Sequence, residues 1–137
     1  MQSRVHDLVV SYLQAVGERR LEALPAMLEP DAEFTVGDTT LRGAEAFVGG
    51  FERLVPIILR NDIRRLFVDG DEACVVYDFV TDTPAEAVLS VEYIKVRSGR
   101  IASSLLLFER LHWPEVQAAL ATRAAGPVAL ASAPATP

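Results

Sequence analysis

From Glu86 to Leu111 the chain reads EAVLSVEYIKVRSGRIASSLLLFERL, two β-rich runs joined by Arg97-Ser98-Gly99-Arg100. A Ser-Gly pair between β-branched and aliphatic runs predicts a hairpin. The same strand-like period begins at Pro56. Ile57 to Val68 and Glu72 to Thr81 read as two further strands, separated by the turn Asp69-Gly70-Asp71 and followed by Asp82-Thr83-Pro84. Four long antiparallel strands are therefore expected in the second half. Glu92 sits inside this apolar stretch, between Val91 and Tyr93. A carboxylate in the middle of a central strand needs a partner or a use.

Before Pro56 the period is helical. Val5, Leu8, Val9, Tyr12, Leu13 and Val16 recur at helical spacing, so Ser3 to Val16 is predicted as an amphipathic helix with Ser3 as N-cap and Gly17 as its end. Tyr12 lies on the apolar stripe, and its inward hydroxyl wants a partner. Leu21 to Leu28 reads as a second, short helix with Pro25 in its first turns. Ala32 to Val36 and Thr39 to Leu41 form a short hairpin about Gly37-Asp38. A third helix is expected over Ala44 to Leu54, with Phe47 and Phe51 inward and Gly49-Gly50 marking close packing or a kink. After the sheet, Pro114 to Thr122 can form a last short helix. Gly126 to Pro137 is rich in Ala, Pro and Ser and is expected as a disordered tail.

The plan is α+β: one domain over residues 1–125, with three N-terminal helices on one face of a curved antiparallel sheet. The long strands are apolar on both alternations. The helices cover one face, so the other is expected to meet a second copy, making a homodimer.

The totals exclude several classes. The 137 residues carry 13 basic and 19 acidic side chains, a net charge of −6, with no basic cluster for nucleic acid. One cysteine, Cys74, cannot form an intrachain disulfide and reads as a small buried residue. His6 and His112 are far apart and no pair has zinc spacing, so no metal is expected. No phosphate-binding or dinucleotide motif implies a cofactor. No apolar run approaches membrane-spanning length, and a cytoplasmic protein without membrane contact is expected.

The runs SYLQAVGERRLEALPAMLEPDAEF, LRGAEAFVGGFERL and EYIKVRSGRIASSLLLFERL together resemble the nuclear-transport-factor-2-like (NTF2-like) superfamily, and within it the SnoaL-like and ketosteroid-isomerase-like proteins. The resemblance covers about residues 3–112. It implies a cone-shaped roll with a cavity between helices and concave sheet. In ketosteroid-isomerase-like members a helix-1 tyrosine and a strand carboxylic acid donate hydrogen bonds to a substrate oxygen, and a second carboxylate moves the proton. The tyrosine falls on Tyr12 and the acid on Glu92. The base falls on Val36, which cannot move a proton; Asp38, two residues on, could lean in. The last strand's leucines make the implied cavity greasy.

The candidate catalytic residues are thus Glu92, Tyr12, Asp38 and Asp78. Tyr12, Val36, Phe51, Tyr77, Leu105, Leu107 and Trp113 are the candidates for lining an apolar ligand. Each has a plainer reading. Glu92 could pair with an arginine or Tyr12, and Asp78 with Arg60 or Arg64. Asp38 could be a solvated turn residue, and Tyr12 a core tyrosine. Two functions follow from the resemblance. One is an isomerase, cyclase or dehydratase for an apolar, oxygen-bearing molecule. The other is a non-catalytic lipophilic-ligand binder or dimerisation module.

Overall fold

The computed structural model describes residues 3–132, with side chains to Arg123. Helix α1 spans Arg4–Gly17 and starts where the Ser3 hydroxyl accepts the His6 N–H at 3.0 Å. Its stripe buries Val9, Tyr12, Leu13 and Val16. A side chain on Gly17 would put its Cβ 2.6 Å from the backbone nitrogen of Asn61, so glycine lets the helix end rest directly on a strand.

The expected second helix is instead two 3₁₀ turns, Leu21–Ala23 and Pro25–Met27. Pro25 has no N–H for the Leu21 carbonyl, and the Leu24 N–H takes that carbonyl at 3.1 Å. Strands β1 (Leu28–Val36) and β2 (Thr39–Arg42) form the short hairpin, and α2 covers Ala44–Glu52. A third 3₁₀ turn, Val55–Ile57, leads into β3 (Ile58–Asp69), β4 (Glu72–Thr81), β5 (Ala87–Arg97) and β6 (Arg100–Phe108). In the β5–β6 turn Ser98 and Gly99 have φ of 55° and 76°, left-handed at both central positions, as a tight hairpin requires.

The six strands run in the order β2-β1-β6-β5-β4-β3. The meander β3 to β6 is antiparallel, as expected, but the sheet is mixed. β1 lies parallel to β6, with Phe34 opposite Ser104 and Val36 opposite Leu106. Helix α2 carries the chain to the far edge of the sheet, and the meander returns to β1 running the same way.

The pleat sorts the faces. On β4, Ala73, Val75, Tyr77 and Phe79 are buried, while Asp78 and its even-numbered neighbours point to the other face. Val88, Ser90, Glu92 and Ile94 of β5 are likewise inward. Tyr12, Phe34, Phe47 and Phe51 pack ring to ring between sheet and helices, with centroids 4.9 to 6.1 Å apart.

Helix α3 runs Trp113–Ser132, ten residues beyond the expected end at Thr122. Residues 126–132 of the expected disordered tail are therefore helical, and 133–137 lie outside the described residues. The alanine-rich run favours helix. Arg123 ties it to the body by donating to the Pro56 carbonyl at 2.8 Å and the Asp82 carbonyl at 2.6 Å. Among the described residues no helix is long and apolar enough to cross a membrane.

Candidate functional site

Strand β5 carries Glu92 into the interior, where it is 0% exposed. Three hydroxyls converge on it. Tyr12 of α1 and Ser104 of β6 each donate to Oε1 at 2.7 Å, and Tyr77 of β4 donates to Oε2 at 2.5 Å. The arrangement follows from register. Tyr77 stands opposite Ser90, two residues before Glu92, and Leu106, two residues after Ser104, stands opposite Glu92. No arginine or lysine pairs with this carboxylate among the described residues. The ion-pair reading of Glu92 gives way to a hydroxyl cage.

Two effects compete at Glu92. Burial disfavours the charge and pushes the carboxyl up, while the three hydroxyl bonds pull it down; burial wins and the group stays above the ordinary carboxylate range. Tyr12 and Tyr77 are pushed well above the ordinary phenol range, first by burial and then by Glu92. Both remain neutral donors at ordinary pH. A carboxyl so placed can hold a proton and offer it through a hydroxyl to a neighbouring oxygen.

Glu92 and Tyr77 stand at the inner end of a pocket of about 820 Å³. Its walls are Leu13 and Val16 of α1, Phe34 and Val36 of β1, Phe51, Phe79, Leu106 and Phe108. Helix α3 closes one side with Trp113, Gln117 and Leu120, and Trp113 packs on Phe108 at 4.6 Å between centroids.

The structure separates the sequence candidates. Val36, Phe51, Tyr77 and Trp113 line the pocket with Glu92. Tyr12 touches Glu92 from behind and does not line it. Asp38 lies exposed at the mouth, in the β1–β2 turn. Asp78 is on the outer face, where Arg64 holds both its oxygens at 2.8 and 3.0 Å; it is not a pocket base. Leu105 and Leu107 are also on the outer face, 37% and 59% exposed, because the inward residues of β6 are Ser104, Leu106 and Phe108. Cys74 is half-buried on that outer face rather than in the core. At the surface, His112 pairs with Glu115 and Asp31 with Arg97. Sequence reasoning found Trp113 but missed Ser104, Asn61 and the rest of the α3 wall, Gln117 and Leu120.

A six-stranded curved sheet covered on one face by helices is the NTF2-like class of α+β fold. Residues 9–104 match the SnoaL-like domain family, and the chain belongs to it. Solved structures agree on the fold. A protein from Kribbella flavida superposes with a TM-score of 0.74 at 22% identity, over 82% of this chain and 93% of that one. A steroid delta-isomerase from Pseudomonas aeruginosa gives 0.72 at 16% identity, over 94% and 97%. A de novo designed protein with a curved β-sheet gives 0.74 at 21% identity, over 86% and 96%. The designed match shows why the fold alone assigns no activity. A comparison with curated protein sequences finds no match.

Proposed function

We propose that this chain binds an apolar, oxygen-bearing small molecule in the cone, with Tyr77 and Glu92 at the polar end. The observation that carries the reading is Glu92 itself: a fully buried carboxyl, bonded only by hydroxyls, at a pocket whose walls include Leu13, Val16, Phe34, Phe51, Phe79, Leu106 and Phe108. Burying such a group without a counter-ion is expensive, and positions of this kind cluster at functional sites. Binding is favoured over catalysis because Val36 occupies the wall where a proton-moving base is expected, and Asp38 stays in solvent. An isomerase-like, cyclase-like or dehydratase-like activity is the second reading. It is favoured by the place of Tyr77, which lines the pocket in front of a carboxyl whose hold on its proton is strengthened by burial, and which could donate to a developing enolate oxygen.

One pair of measurements tests both. Trp113 is the sole tryptophan and lines the pocket, so 2-naphthol bound there should drain its emission saturably. A linear, unsaturable response would remove the ligand reading. C1-deuterated 2-tetralone should then lose deuterium no faster than in buffer. Acceleration that disappears in Glu92→Gln would establish the catalytic reading instead.

The outer face of the sheet supports a second copy as partner. Phe67 at 55% exposed, Tyr93, Leu105 and Leu107 form an apolar surface. The ion pair Arg64–Asp78 and the neighbours Lys95 and Glu72 give it both signs of charge, which lets it face itself across a two-fold axis. A cytoplasmic location belongs to the same proposal, in keeping with a single unpaired cysteine.

A further inference from the structure

We infer that the pocket takes an apolar carboxylic acid, whose carboxylate stays at the mouth and is read by Arg110. The mouth carries Asp38, Thr39, Glu52, Arg53, Arg110 and Gln117, all exposed. Arg53 and Arg110 are the only cations that line the pocket among the described residues. At the inner end Glu92 has hydroxyls alone around it. A charged ligand end finds no counter-ion there, and burying it unpaired is expensive, so it remains at the mouth.

The mouth holds two charges of each sign, so their sum does not choose the ligand; their placement does. Arg110 follows the end of β6, and its guanidinium lies over the ring of Phe108, a wall residue, 5.3 Å from the centroid. It also lies against the β1–β2 turn, where a Cβ on Gly37 would stand 3.1 Å from one of its nitrogens. The stack sheds water from one face of the guanidinium and leaves its N–H edge open. That is the geometry in which arginine holds a carboxylate by two parallel bonds. Among the described residues no carboxylate lies within ion-pair reach of Arg110, not even that of Asp38 beside Gly37. Asp38 and Glu52 are exposed carboxylates on a turn and a helix end, where water and salt weaken their pull on a cation. Arg53 stacks on no ring among the described residues.

This rests on the pocket being a ligand site, so the test separates the two claims. The probes are 2-naphthoate, 2-naphthamide and 2-naphthamidinium, which share a planar shape and are negative, neutral and positive. Binding is read from Trp113 emission, as for 2-naphthol. Wild type should bind 2-naphthoate about fivefold more tightly than 2-naphthamide, the scale of one well-placed exposed ion pair. It should bind 2-naphthamidinium most weakly. Arg110→Met keeps an apolar stem over Phe108 and removes the guanidinium fork, and it should bring 2-naphthoate to the level of 2-naphthamide. Should that variant not fold, the Arg110 Nε resonance of wild-type protein decides: it should move with 2-naphthoate and stay still with 2-naphthamide. Equal affinities, tightest binding by 2-naphthamidinium, a preference that survives Arg110→Met, or an unmoved Nε resonance overturns the inference alone. So does failure of all three probes where 2-naphthol binds. Failure of all three and of 2-naphthol overturns it together with the ligand reading.

Discussion

Replacing Glu92 with glutamine separates charge from shape at the buried carboxyl. The unfolded chain releases the Glu92 proton near pH 4.3, the ordinary value for glutamate. In the native state burial outweighs the three hydroxyl bonds, so the proton is held to higher pH. The sign follows. Below the unfolded value both states are protonated and the native state has its full contribution from this group. As pH rises, the unfolded chain ionises first and native stability falls by about 1.4 kcal/mol per pH unit. The fall stops once pH passes the native value. Glu92→Gln lacks this slope. It has a fixed penalty of its own, because the amide brings two N–H donors where the neutral carboxyl brings one O–H, so one more of the three hydroxyl bonds is lost; one lost neutral hydrogen bond is about 1 kcal/mol. The variant should therefore be less stable than wild type by about 1 kcal/mol at pH 4. The gap should narrow as pH rises, by about 1.4 kcal/mol for each unit separating native from unfolded pKa. Urea unfolding of both proteins from pH 4 to 8 measures it. Parallel curves, or a wild type that gains on the variant with rising pH, would refute the reasoning and mean that the hydroxyl cage holds a carboxylate anion.

Gly17→Ala should destabilise the fold by about 1–3 kcal/mol in urea, since its Cβ meets backbone that can move only by lifting α1 off β3. Tyr12→Phe removes one donor from Glu92 without opening the pocket wall. It should lower stability by about 1 kcal/mol and raise the midpoint of the Glu92 carboxyl resonance in an NMR titration. Leu107→Asp puts a charge on the outer face, and light scattering should then report one chain's mass with an unchanged circular-dichroism spectrum. A wild-type protein that is already monomeric at micromolar concentration would dispose of the dimer proposal.

Local signals carried much of the fold. The Ser98-Gly99 turn, the capping Ser3 and the strand Glu72–Thr81 were legible because each is written in a few neighbouring residues. Glu92 was legible because a carboxylate contradicts the apolar run around it. What failed depended on facts not local to a segment. The run Ser104 to Phe108 is apolar on both alternations, so its phase was ambiguous, and a slip of one residue sent Leu105 and Leu107 to the wrong face. Tyr77 and Asp78 posed the same choice, settled only by the pairing of Asp78 with Arg64. Asn61 looked like one more polar residue on a charged strand, and what sets it apart is its bond to the Leu13 carbonyl of α1, far away in sequence. The parallel pairing of β1 with β6 has no sequence mark at all.

That pairing also sets an order of events during synthesis and folding. Strands β3 to β6 are joined by short connections and can assemble by successive hairpins. The β1–β2 hairpin is made early but finds its neighbour only when β6 exists, because Leu28 pairs with Ile101 and Val36 with Leu106. The emerging chain must hold the apolar stripe of α1 uncovered until β3 and β4, the strands it packs on, have been made. Glu92 likewise acquires its hydroxyls from three elements: Tyr77 within the meander, Ser104 at its close, and Tyr12 from α1, which packs on β3 and β4. In pulse-labelled refolding, amides of β4 and β5 should gain protection before those of β1, and simultaneous protection would rule out this order.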